Sequence, residues 1–206
     1  ENLIQYMAPS TVTDEFPKPF RLEFQPRPRW TYRFIRNKAS KEVLDSIRHE
    51  AIEPLLDFYQ QTISLVNNFN SPDSLFNELK DGIKITALRA EHRAATLNYL
   101  IGMRQEKLNG LNKKKSNEAL GHFLTEAENI KQEGLAIVKN REAHYRYPVE
   151  SIARRHKSHT AYNFGYLYPV SNLHFWQREE LQAKNNRWSP FYKNIYNLLR
   201  IIGIIN

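Results

Sequence analysis

Residues 71–108 read SPDSLFNELKDGIKITALRAEHRAATLNYLIGMRQEKL. Ser71 suits an N-cap, Pro72 the first helical position, and Asp73 the positive end of a helix dipole. Behind them Leu75, Leu79, Ile83, Thr86, Ala90, Ala94, Leu97 and Ile101 recur at helical spacing and lay a seam that runs to about Leu108. At 1.5 Å per residue this helix is about 54 Å long. A seam of that length needs partner helices, so the stretch predicts a mainly all-α fold.

The partners lie on either side. Upstream, Leu44, Ile47, Ala51, Leu55, Phe58 and Val66 place a stripe on a helix from about Ser40 to Phe69, with a kink near Ala51 because Pro54 removes a backbone hydrogen bond. Downstream, the polar connector Asn109–Lys115 contains Gly110, and Ser116 is read as the cap of a third helix. That helix carries Leu120, Phe123, Leu124, Ala127, Ile130, Ile137 and Val138 and must stop before Pro148. Short connections place consecutive helices antiparallel, which gives a bundle of three long helices. Two or three shorter C-terminal helices complete it: Val149–Lys157, a helix from after Ser171 to about Lys184, and one opening at Ser189 and Pro190.

Before Ser40 the character differs. Glu1–Lys38 holds Pro9, Pro17, Pro19, Pro26 and Pro28 and reads as an extended Pro-rich N-terminal arm, with Leu22–Phe24 and Tyr32–Arg36 as extended pieces. Trp30 in this arm is expected to pack on the aromatic end of the bundle. The chain therefore divides into an arm or linker from an upstream region, 1–38, and a helical bundle domain, 39–206. The first residue, Glu1, fits a piece cut from a longer polypeptide.

Composition excludes much chemistry. The 206 residues carry 30 Lys+Arg against 22 Asp+Glu, a net charge of +8, and no cysteine, which removes disulfides, thiolate metal sites and cysteine nucleophiles. No apolar run approaches the roughly 18 residues of a membrane span. The 7 glycines are spread so that no two lie within four residues, so neither a P-loop nor a dinucleotide fingerprint exists. No Gly-x-Ser-x-Gly elbow is present. The long helices lack the Glu-x-x-His pairs of a two-metal bundle; His49 with Glu53 and Glu118 with His122, spaced by four, read as solvated pairs, and Glu91 and His92 are merely adjacent. Glu142, Glu150, Glu179 and Glu180 near the aromatic-rich end read as helical charge, with paired carboxylates for glycoside hydrolysis as the alternative. No metal and no cofactor are expected.

What remains is a mixture of aromatics and cations between Tyr145 and Tyr192. Arg146, Arg154, Arg155, His156, Lys157 and His159 suit an anion, since guanidinium groups chelate phosphate, sulfate or carboxylate. Tyr162, Tyr166 and Trp176 suit stacking on bases or sugar rings, and equally plain burial at a bundle end. These residues predict a non-catalytic accessory or scaffold module of a larger protein, which docks a neighbouring domain, a protein partner or a polymeric ligand such as an anionic polysaccharide. An exported bacterial carbohydrate-processing protein is the natural host, so a soluble protein in the periplasm or outside the cell is favoured over the cytoplasm. The alternatives are a nucleic-acid-binding helical protein, given the pI of 9.6, and an enzyme whose site is assembled from scattered residues.

Overall fold

The computed structural model describes residues 28–110, 113–143 and 167–189. Among the described residues the chain is helical without strands, and five helices pack as an all-α bundle. Helix α1 is Pro28–Lys38. Lys41–Ile47, a π-helical turn Arg48–Ile52 and Glu53–Asn68 run on as α2. Helix α3 is Ser74–Leu108, α4 is Lys113–Glu142 and α5 is Leu167–Lys184.

The reading of Tyr32–Arg36 as extended is corrected, because this piece lies inside α1. Pro28 occupies the first helical position, where a missing N–H costs nothing, and Tyr32, Ile35 and Ala39 follow at helical spacing to share one buried face. α1 packs on α3 and on α5, the helix of the expected aromatic end. In α2 the disturbance falls where Pro54 predicts it, and its form is the π turn: the N–H of Glu53 reaches back to Arg48 O.

The start of α3 is displaced from the expected cap. Asp73 is the N-cap and accepts from Leu75 N at 2.8 Å, while Ser71 Oγ accepts from Asp73 N at 3.2 Å. The carboxylate therefore takes the helix N–H and the serine braces the cap. Gly110, at φ 76°, closes the far end of α3 in the left-handed region. α4 begins at Lys113, before the expected cap Ser116. α5 begins at Leu167 rather than after Ser171; Pro169 falls in its first turn, where backbone N–H groups have no helical acceptor to lose. It ends in a Schellman motif, with Asn185 at φ 61°, Asn185 N donating to Gln182 O and Asn186 N to Leu181 O. The predicted helices Val149–Lys157 and from Ser189 and Pro190, and the predicted strand Leu22–Phe24, lie outside the described residues, as does the side chain of Trp30.

α3 is the axis. Arg48 of α2 donates to Gln105 at 2.8 Å and Lys80 to Phe69 O at 2.8 Å, which fixes α2 and α3 antiparallel. Arg141 Nε to Asp81 at 2.8 Å and Lys84 to Glu133 at 2.8 Å do the same for α3 and α4. A Cβ on Gly102 would lie 2.7 Å from Leu120 Cδ2, so the glycine lets α4 approach closely. Two apolar clusters flank α3: one unites Tyr32, Ile35, Leu44 and Leu55 with Leu97 and Leu100, the other joins Ile85 and Leu88 to Ala127, Ile130 and Trp176. Burying so many full side chains, at about 1.5–3 kcal/mol each, is what holds the bundle together against chain entropy.

Candidate functional site

Between the two clusters α3 presents Arg89, His92, Arg93 and Thr96, spaced three, one and three apart and therefore on one face. All four are buried. α5 answers with Glu179 and Glu180, which are 0% and 4% exposed, and α4 with Lys131. Glu179 and Glu180 are the helical charge expected of them, but they are buried and paired rather than set in solvent. Flanking Trp176 and Ala183 are buried in the apolar clusters, and that packing turns this side of α5 inward.

Arg89 Nη2 donates to Glu179 Oε1 at 2.7 Å and Arg93 Nη1 to the same oxygen at 3.3 Å. Lys131 Nζ donates to Glu180 at 3.0 and 3.2 Å and to Glu128 at 2.6 Å. His92 lies between the two systems, with Nε2 2.8 Å from Glu180 Oε1 and Nδ1 3.2 Å from Arg89 Nη1. A guanidinium only donates, so Nδ1 accepts; the ring proton is on Nε2 and is given to Glu180. Trp176 covers the pair, its ring centroid 5.0 Å from that of His92 and 5.3 Å from Arg89 Cζ.

The electrostatics follow from burial and pairing. Burial pushes the Glu179 carboxyl upward, but Arg89 and Arg93 overcome it and hold it at about 2. Burial depresses His92 below its ordinary value, opposed by the hydrogen bond to Glu180. Tyr32 of α1 is raised well above the usual phenol range, by burial first and by Glu179 second. Among the described residues Tyr32 Oη, Trp176 Nε1 and Glu179 Oε2 are buried without a hydrogen-bond partner.

A second feature opens on the other side of α3. Tyr59, Glu91, His122, Thr125, Glu126, Asn129, Ile130 and Glu133 line an open groove of about 600 Å³. Burial raises Glu91 above the usual carboxylate range, the hydrogen bond from Tyr59 lowers it, and Glu126 and Glu133 raise it further. Tyr59 is pushed up to about 12 by burial and by Glu91. His122 Nδ1 lies 3.1 Å from Ala119 O on its own helix.

Of the residues expected to bind a ligand, Trp176 alone has a described side chain, and it is buried against His92 and Arg89. Arg146, Arg154, Arg155, His156, Lys157, His159, Tyr162 and Tyr166 lie outside the described residues. His49 and Glu53 form the expected exposed pair at 3.0 Å. Glu91 and His92, adjacent in sequence, diverge: the carboxylate goes to the groove and the imidazole to the buried network. Among the described residues no group of three or more His, Asp or Glu is placed to hold a metal ion, and no helix is long and apolar enough to cross a membrane. Comparison with protein-family models, curated proteins and solved structures finds no match to this chain.

Proposed function

We propose that the chain is a non-catalytic helical module that presents the basic and aromatic stretch between α4 and α5 to an anionic polymer or to an acidic face of a neighbouring domain. The observation that carries this reading is the buried pair of Lys131 with Glu180 at 3.0 Å. It ties together the two helices that precede and follow Arg146–Tyr166 in the chain. A non-catalytic role is supported by the commitment of His92, Glu179 and Glu180 to other protein groups in the interior.

In this reading Arg154, Arg155 and Lys157 supply charge, and Tyr162 and Tyr166 supply ring faces that suit sugars as well as bases. An exported carbohydrate-processing protein is the setting that fits this chemistry. The test is fluorescence anisotropy with a labelled oligogalacturonate and a labelled single-stranded oligonucleotide, at low and near-physiological salt. The polyuronate is expected to bind with an affinity that falls as salt rises, and the triple variant Arg154→Ala, Arg155→Ala, Lys157→Ala is expected to lose it at an unchanged melting temperature. A preference for the oligonucleotide, with a steep salt slope, moves the reading to nucleic acid. Silence of both probes at low salt removes the anionic-polymer ligand.

A further inference from the structure

His92 sits where a second ring proton has no acceptor. Its Nδ1 faces Arg89 Nη1 at 3.2 Å, and that guanidinium cannot turn away without leaving Glu179, to which its Nη2 is bound at 2.7 Å. Its Nε2 is already engaged with Glu180, which Lys131 also holds. Protonation at Nδ1 would place donor against donor and add a cation beside Arg89 in a buried site. From these contacts we infer that His92 is an acid-sensitive catch for α5, closed while the imidazole is neutral and released when it is protonated.

The charged and titratable neighbours come from each described helix around it. α3 supplies Arg89 and Arg93, α4 Lys131 and Glu128, α5 Glu179 and Glu180, with Arg178 acting on Tyr32 of α1. Glu179 and Glu180 attract a positive imidazole; Arg89 faces it directly, and burial opposes any added charge. Their balance leaves His92 harder to protonate than a free imidazole. The folded state takes up the proton at lower pH than the unfolded chain, so the catch is fully closed above about 6.5, the ordinary histidine value, and weakens as pH falls below it. Glu179, held at about 2, weakens the docking of α5 only in a lower window, below 4.5.

This inference stands apart from the ligand reading, because it concerns the docking of α5 and needs no ligand. The test is amide hydrogen exchange of the full chain between pH 7.5 and 5, corrected for intrinsic exchange, on the wild type and on His92→Gln. Glutamine offers the same two functions as the neutral ring, an amide N–H donor for Glu180 and a carbonyl acceptor for Arg89, but it does not titrate. Wild-type protection of Gln177–Ala183 is expected to fall by up to about tenfold per pH unit below about 6.5, the limit for one proton, and that of His92→Gln to stay level. An equal fall in both proteins overturns the inference. Ring-nitrogen NMR on the wild type decides independently of how well the variant folds. A proton on Nε2 and a titration below 6.5 support the catch; a proton on Nδ1, or a titration at or above 6.5, refutes it.

Discussion

Glu180 of α5 receives His92 Nε2 from α3 at 2.8 Å and Lys131 Nζ from α4 at 3.0 Å, so one carboxylate ties three helices. It stands between the two apolar clusters, where water gives little help to a charge left without its partner. Replacing it separates what the pairing contributes from what the helices gain by packing.

Glu180→Ala leaves Lys131 with Glu128 alone and His92 without an acceptor. The expected loss is about 3 kcal/mol, near the lower end for breaking a buried pair, because Glu128 keeps part of the lysine's interaction. Urea denaturation at pH 7 measures it, and a loss below about 1 kcal/mol means the network contributes no more than a surface pair does.

Acid acts on Glu179 with a definite sign. Its folded value of about 2 lies below its ordinary 4.5, so it contributes stability that is present above 4.5 and is lost as pH falls from 4.5 toward 2. In Glu179→Gln this part of the acid dependence disappears, leaving a shallower decline in urea midpoint between pH 5 and pH 2.5. Parallel declines in wild type and variant contradict the assignment.

At the start of α3 the cap belongs to Asp73. Asp73→Ala is expected to cost about 1 kcal/mol, whereas Ser71→Ala removes only a hydrogen bond to the cap's backbone and costs less. Thermal melts of the two variants give the order.

The end of α5 depends on a backbone conformation that β-branched residues avoid. Asn185 at φ 61° predicts that Asn185→Val costs about 1–2 kcal/mol, while Asn185→Gly is neutral or mildly stabilising. Melting temperatures in the opposite order rule out the left-handed cap.

The long helices were legible because their apolar residues keep a helical period for many turns and because Pro54 and Gly110 mark its interruptions. α1 was not, since the prolines before it read as an extended arm; the buried spacing of Tyr32, Ile35 and Ala39 was present but short. The ion network is not legible in the sequence of α5 for a physical reason: charged residues are nearly always at the surface, so nothing in Glu179 and Glu180 points to the interior. A signal existed. Ala87, Ala90, Ala94 and Ala95 surround Arg89, His92 and Arg93, and small residues on that side let other helices approach closely, so the polar stripe among them must meet countercharges from another element. What the sequence could not supply was which carboxylates, since Glu179 and Glu180 are about ninety residues away and no local spacing links them to α3.

Arg89 and Glu179 dock α5 on α3 only if they are coupled across the interior rather than merely close. A double-mutant cycle with Arg89→Ala, Glu179→Ala and the double variant, followed by urea denaturation at pH 7, measures that coupling directly. A coupling energy of about 1–3 kcal/mol is expected for a buried, hydrogen-bonded pair. Single-variant losses that add to within about 0.5 kcal/mol would mean that the two groups stabilise the bundle independently, and the docking of α5 on α3 through this pair would not stand.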